Sequence, residues 1–195
     1  MPTKPQVLKA RTAAKSRLFE VEELDLRFSN GVERTYERLA SKGNGAVMII
    51  PVLNNETLLL INEYAAGIHE YQLTLPKGLI DPGETALEAA NRELMEEVGY
   101  GARRLTPLRS MTTSPSYMGH RIQVVIAEDL YPQRRPGDEP EELEVIPYPI
   151  ENISELVFEE NFAEARVIAA LCLWQKVRKD PRLSAQLSNK TEQIS

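Results

Sequence analysis

Residues Gly78 to Tyr100 read GLIDPGETALEAANRELMEEVGY, and the fold is decided in this stretch. Asp81-Pro82-Gly83 is a turn that delivers the chain to a helix. Thr85 can cap that helix, and Glu88 three residues later completes a capping box. Leu87, Ala90, Leu94 and Val98 form an apolar stripe at helical spacing, and Gly99 supplies the stop. The expected element is one helix from Thr85 to Val98. On it Glu93 and Glu96 are i,i+3 and Glu93 and Glu97 are i,i+4, so three carboxylates face one point. Like charges at that spacing destabilise a bare helix. A hard divalent cation held between them, Mg²⁺ or Mn²⁺, reverses that balance. Arg92 can hold a carboxylate bidentately. His69 and His120 are the only histidines, and both lie far in sequence from the cluster, which argues against a zinc-type site. Three glutamates alone describe a solvated acidic face. Their frame, Gly78, Glu84, Arg92 and Gly99, is what turns them into a candidate metal platform.

Working outward toward the N-terminus, Ala46 to Val52 (AVMIIPV) is continuously apolar and reads as a central strand buried on both faces. Asn54-Asn55 turns the chain into a further strand, Glu56 to Ile61. Before these, RLFEVEELDLRF from Arg17 alternates as a strand, Asn30-Gly31 is a hairpin signal, and Val32 to Leu39 is its partner. Residues 1–15 are expected to be a flexible arm. Beyond the helix, Ile122 to Ala127 reads as a strand, and RRPGDEPEELEVIPYP is a Pro-rich acidic loop that turns extended. A last, largely apolar helix is expected from Asn161, capped with Glu164, to about Lys179, with Phe162 and Trp174 in the core. The organisation expected is an arm (1–15), an N-terminal β-hairpin unit (16–44), a main domain (45–180) and a polar tail (181–195). Strands and helices alternate and hairpins are present, so the class is α/β with a mixed sheet.

Composition bounds the function. Lys and Arg total 23 against 29 Asp and Glu, a net charge of −6. That disfavours a general nucleic-acid binder, which needs clustered basic charge. It leaves a phosphate substrate open, because bound cations set the local field. One cysteine, Cys172, permits no internal disulfide and suits a reducing, cytoplasmic setting. Its neighbours Leu171, Leu173 and Trp174 suggest a buried small residue. No apolar stretch reaches membrane-spanning length.

The segment from Gly78 to Tyr100 resembles the Nudix box of the Nudix hydrolase family: G, five residues, E, seven residues, REU, one residue, EE, one residue, GU, with U bulky and aliphatic. Gly78, Glu84, Arg92, Glu93, Glu96, Glu97 and Gly99 match every fixed position and Leu94 the first U. Tyr100 at the last U is a departure that concerns packing. The resemblance implies a Nudix-like α/β/α sandwich with a mixed sheet, beside a small N-terminal antiparallel hairpin unit. It implies Glu93 and Glu97 as principal metal ligands and Glu96 as a further ligand or water partner. The Lys77 backbone carbonyl becomes a possible ligand, Arg92 orients the first carboxylate and Glu84 supports the loop.

The likeness continues past the box. Pro115, in Ser114-Pro115-Ser116, lies where the family's ADP-ribose pyrophosphatases carry a proline, and the N-terminal hairpin is typical of that group, where it often exchanges across a dimer. This implies a Mg²⁺-dependent enzyme, a homodimer, that splits ADP-containing compounds (NADH, ADP-ribose, diadenosine polyphosphates) to release AMP. Two positions depart from that group: Ala65 stands near a usual arginine and Thr74 at a usual glutamate, which points to a looser ADP-compound hydrolase. In that group the residue that takes the proton from water often comes from a loop after the core sheet. Glu141 aligns best here, with Glu139 and Glu142 as close rivals. Arg38, Tyr64, Ser116 and Tyr117 are candidate substrate contacts, Tyr64 or Tyr117 by stacking on adenine. The alternatives are a Nudix hydrolase of another nucleoside diphosphate sugar or nucleotide, and a non-catalytic module that binds ADP-ribose or NAD.

Overall fold

The computed structural model describes residues 3–41 and 43–191. Contacts divide the chain into Met1–Gly43 with Thr112–Arg121, and Asn44–Met111 with Ile122–Ser195. The first unit is a three-stranded antiparallel sheet of β1 (Gln6–Lys15), β2 (Glu20–Arg27) and β3 (Glu33–Leu39) in that order. The expected arm is therefore mostly strand: from Gln6 it pairs with β2, and Arg11 reaches Asp25 at 2.8 Å. Every β1 residue is exposed, so no apolar pattern announced it. The Asn30-Gly31 hairpin forms as expected. Gly31 takes φ +81°, a value glycine adopts without strain, and Phe28 N–H donates to the Val32 carbonyl at 2.9 Å. Residues 112–121 join this unit through Leu39 N–H, which donates to the Tyr117 carbonyl at 2.8 Å. The main domain expected over 45–180 is thus interrupted.

The second unit is a layered α/β structure. One sheet has the order β7-β4-β9-β8: β7 (Lys77–Leu79), β4 (Ala46–Pro51), β9 (Arg121–Pro132) and β8 (Tyr100–Thr112). β4 is antiparallel to β7 and parallel to β9, so the sheet is mixed. A second sheet has the order β10-β5-β6: β10 (Glu144–Pro149), β5 (Thr57–Ala65) and β6 (Glu70–Thr74). β4 is buried along its whole length, and its side chains alternate between two cores. Met48 and Ile50 join Leu58, Leu60, Val124, Leu171 and Trp174 on one side. Val47 and Ile49 join Leu59, Ile61, Ala89, Ala90 and Leu94 on the other. A strand covered on both faces has no use for polar alternation, which is why it reads as an unbroken apolar run.

The helices fill the two outer layers. α1 (Ala86–Glu93) opens on the expected capping box: Glu88 N–H donates to Thr85 Oγ1 at 3.2 Å, and Thr85 N–H to Glu88 Oε2 at 2.8 Å. It does not run to Val98 as an α-helix. Leu94–Val98 is a π-helical segment, closed when Gly99 N–H at φ +81° donates to the Leu94 carbonyl. Such wider turns concentrate at functional sites. A short 3-10 turn (Ile150–Asn152) leads into α2 (Ile153–Leu156). α3 (Ala165–Lys179) and α4 (Pro181–Thr191) follow. The last long helix therefore starts at Ala165, not Asn161, with Glu164 as its N-cap residue. The expected polar tail contains α4. Phe162 and Trp174 are core, as read from sequence, whereas Cys172 is exposed, because α3 turns it away from the face that carries Leu171 and Trp174.

Candidate active site

β7 is only three residues long, yet it places the box glycine beside the central strand, with Val47 opposite Gly78 and Met48 opposite Lys77. A Cβ at Gly78 would collide with the Glu93 carboxylate and push it from its place beside β7, so glycine here lets that carboxylate approach the backbone. The helix that follows brings Glu93, Glu96 and Glu97 into one cleft with Lys77 and Gly78. That cleft, about 530 Å³, is closed on the far side by Pro136, Gly137, Asp138 and Glu139 of the acidic loop.

Arg92 organises the outer part of the site. Its Nε and Nη2 donate to the two oxygens of Glu84 at 2.8 and 3.0 Å, and Nη2 also reaches the Leu79 carbonyl at 2.9 Å. Nη1 donates to Glu93 at 2.8 Å and Glu96 at 3.1 Å. Glu84 also accepts from Asp81 N–H at 3.1 Å. The Arg92 hydrogen bonds hold the Glu84 carboxyl below its ordinary range and in return raise the Arg92 guanidinium. Glu93 is shifted upward by burial, against the pull of Arg92.

Glu97 sits differently. It is 6% exposed, and its hydrogen bond is to the Lys77 backbone N–H at 3.0 Å. Burial, with Glu93 and Glu63 adding negative charge nearby, pushes its carboxyl up to about 9. The Lys77 side chain is engaged elsewhere: Nζ donates to Glu63 and, at 3.3 Å, to Thr74 Oγ1, with Glu164 at 3.8 Å. Thr74 Oγ1 donates to Glu164 at 3.0 Å. Thus where a glutamate is usual at position 74, the chain brings a carboxylate from the start of α3. Neither Glu63 nor Glu164 was anticipated, because their proximity follows from strand pairing and tertiary packing.

The acidic loop brings Glu139, Glu141 and Glu142 to one side of the cleft but gives them different partners. Arg135 N–H donates to the Met95 carbonyl at 3.1 Å and Gln133 N–H to that of Gly99 at 3.0 Å, which ties the loop to the end of the box helix. Glu139 enters the cleft, and burial plus the charges of Glu63 and Asp138 raise its carboxyl. Glu141 accepts a short hydrogen bond from the Tyr71 hydroxyl, and Glu142 lies 3.5 Å from Arg134. Arg134 and Arg135 line an adjoining part of the cleft. These two cations were missed in sequence, where the Arg-Arg pair stood in plain view ahead of Pro136.

Among the substrate candidates, Tyr64 lies in this unit and shares a 2.5 Å hydrogen bond with His69 Nδ1. Arg38, Ser116 and Tyr117 belong to the first unit. There Arg38 Nε pairs with Glu22 at 2.9 Å across β2 and β3. Among the described residues, no three His, Cys, Asp or Glu side chains are grouped to hold a metal ion, so the three box carboxylates do not meet at one point as expected: Glu93 and Glu96 are turned to Arg92. The donors nonetheless fit a hard divalent cation. All are oxygens, Glu97 is buried without a cationic hydrogen-bond partner, and Gly78 leaves the room that Glu93 occupies.

A carboxylate-bearing helix beside a mixed sheet covered on both faces, with an all-oxygen donor set, fits a hydrolase of the phosphate-anhydride type. Two family models cover the chain, the NudE-type Nudix hydrolase N-terminal domain over residues 5–38 and the NUDIX domain over residues 43–171. The chain belongs to the Nudix hydrolase family, whose members generally need divalent cations. It is 49% identical over 170 residues to ADP compounds hydrolase NudE of Escherichia coli, covering 87% of this chain and 91% of that one. It is 28% identical to an ADP-ribose pyrophosphatase of Bacillus subtilis, covering 84% and 91%. A solved structure described as an ADP compounds hydrolase superposes with a TM-score of 0.85 at 48% identity, over 91% of this chain and 95% of that one.

Proposed function

We propose that this protein is a Mg²⁺-dependent pyrophosphatase of ADP-containing compounds, NADH, ADP-ribose and diadenosine polyphosphates among them, and that it releases AMP. The observation that carries the reading is the buried Glu97 carboxylate beside Gly78, Glu93 and Lys77, in a chain 49% identical to a relative named an ADP compounds hydrolase. Glu93 and Glu97 are the residues assigned to hold the cation, with Glu96 beside them and the Lys77 carbonyl as a further oxygen donor. A bound cation neutralises phosphate charge and acidifies a water. The water oxygen bonds to one phosphorus of the bridge while the bridging oxygen leaves with the other, giving AMP and the remaining phosphate ester.

The protein's own groups do the rest. Arg92 fixes the direction of Glu93 and Glu96. Arg134 and Arg135 offer donors for phosphate oxygens. The water's proton needs a carboxylate acceptor within reach of the cleft. Glu141 aligned best in sequence, and both it and Glu139 line the cleft with Glu97, but Glu141 is held by Tyr71 while Glu139 also borders Lys77 and Gly78. We therefore assign the proton to Glu139 and loop anchoring to Glu141. A cytoplasmic homodimer joined through the β1–β3 sheet completes the reading, supported by the exposed Val7, Leu8, Val32 and Tyr36 on that sheet and its turn.

The test is incubation with Mg²⁺ and, separately, NADH, ADP-ribose, diadenosine triphosphate and GDP-mannose. AMP is expected from the first three. GMP from GDP-mannose with no AMP from the others overturns the substrate assignment.

A further inference from the structure

The first residue of β7 carries two backbone groups that the proposed metal site uses. Lys77 N–H donates to Glu97 at 3.0 Å, and the Lys77 carbonyl is the further oxygen donor assigned above. β7 itself has little to hold it. It is three residues long, stands at the edge of its sheet and pairs with β4 alone. The Lys77 side chain adds ties to three other elements. Its ammonium donates to Glu63 of β5 and, at 3.3 Å, to Thr74 at the end of β6, and it lies 3.8 Å from Glu164 at the start of α3. Thr74 Oγ1 donates to Glu164 Oε2 at 3.0 Å, and Arg166 Nη2 lies 2.5 Å from the other Glu164 oxygen. Thr74 is buried, and the side chains of Lys77, Glu63 and Glu164 are at most 25% exposed.

Two simpler roles do not account for this arrangement. An ion pair kept for stability alone is replaceable by apolar side chains of similar volume, because burying the charges offsets most of their attraction. A charge kept for its field has the wrong sign, since an ammonium in the wall of a cation site repels the cation. Glu63 and Glu164 cancel that repulsion, and what remains is geometry. A lysine free in solvent keeps its rotamers, whereas one held by partners on three elements orders the backbone that carries it. We propose that Lys77 is a positioning residue whose ammonium, held by Glu63, Thr74 and Glu164, sets the Lys77 peptide against Glu97 and so shapes the cation site. The proposal rests on the metal assignment given above and deepens it: the box supplies the carboxylates, and a strut from outside the box aligns β7 with them.

The test is Mn²⁺ binding without substrate, read from the paramagnetic resonance of the free ion, in the wild type, Lys77→Met, the double variant Lys77→Met/Glu63→Gln and Thr74→Val, each with its fold checked by near-ultraviolet circular dichroism. Lys77→Met should weaken Mn²⁺ about 10- to 100-fold, although losing a positive charge would by field alone tighten it. The double variant removes one charge of each sign and should show a loss within about threefold of that of Lys77→Met, because the pair acts as one unit. Thr74→Val changes no charge and should weaken Mn²⁺ about 3- to 10-fold, the worth of a hydrogen bond. Should Lys77→Met fail to fold with two carboxylates left bare, the double variant and Thr74→Val carry the comparison. In turnover the double variant should lower kcat and keep KM for ADP-ribose within about threefold at saturating Mg²⁺. Wild-type Mn²⁺ affinity in the folded double variant overturns the proposal, as does tighter binding in Lys77→Met or a loss confined to KM. A wild type that binds Mn²⁺ but releases no AMP from ADP compounds defeats the proposed function and leaves the positioning role standing, whereas a wild type that binds no Mn²⁺ overturns both.

Discussion

Glu84 and Glu97 flank the same short helix, and their surroundings are opposite. Glu84 receives two guanidinium hydrogen bonds and a backbone one. Its charge is matched, and its carboxyl titrates below the ordinary range. Glu97 is buried, shares its neighbourhood with Glu93 and Glu63, and has a backbone N–H as its hydrogen-bond donor. The outer end of the motif is therefore scaffolding, complete in itself. The inner end is short of positive charge, and burial of an uncompensated carboxylate is costly. A divalent cation bound beside Glu97 would remove that cost, so the metal site proposed there and the unfavourable electrostatics would be one feature.

The sharpest way to break this contrast is to neutralise each carboxylate in turn. Glu97→Gln should keep the fold and lower turnover by more than about a hundredfold, because even outer partners of a bound metal are worth about 10- to 100-fold. Glu84→Gln should cost roughly tenfold, since it loosens Arg92 without touching a metal ligand. Steady-state AMP release from ADP-ribose measures both. Equal losses would mean that the two ends are not functionally distinct.

Stability in the absence of divalent cation should sort the two by pH. Glu97 binds its proton more tightly folded than unfolded, where its carboxyl is near 4.5. Its protonated form is favoured by folding, so stability falls as pH rises from about 4.5 toward about 9. Glu84 is shifted the other way: its contribution is present above its unfolded value and is lost as pH falls through the lower folded one. Thermal melts in chelator should therefore show Glu97→Gln gaining on the wild type between pH 6 and pH 8, with excess Mg²⁺ cancelling the gain. Parallel melting curves across that range would refute the assignment of Glu97 as the uncompensated group.

What could be read from the chain divides along similar lines. The box was legible because local spacing fixes it: Thr85 and Glu88 cap each other, and Arg92 lies one turn from Glu96. β4 was legible because burial on both faces leaves an unbroken apolar run. β1 was not, since all ten of its residues are exposed and its partner β2 supplies the ordering. The switch from α to π after Glu93 has no composition signature. Glu164 meets Thr74 across 90 residues of chain, and Glu141 meets Tyr71 across 70. Both contacts exist only once the sheet has brought β6 beside the loop and the start of α3. Hence the box helix was legible residue by residue, while the separate hydrogen-bond partners of the loop glutamates waited for the structure.

The smallest expected effect probes the platform's footing rather than its chemistry. Thr85 closes the first turn of α1 through its reciprocal bonds with Glu88, outside both carboxylate environments. Thr85→Ala removes the side-chain acceptor and frees Glu88, at a cost of about 1 kcal/mol, or roughly 2–4 °C in Tm for a chain of this size. Turnover at 25 °C should stay within about twofold, because Gly78 and Lys77 are held by pairing with β4 and not by the cap. A large fall in turnover with an unchanged Tm would place the first turn of the helix in the catalytic apparatus, and the division between scaffold and metal platform would then have to be redrawn N-terminal of Glu88.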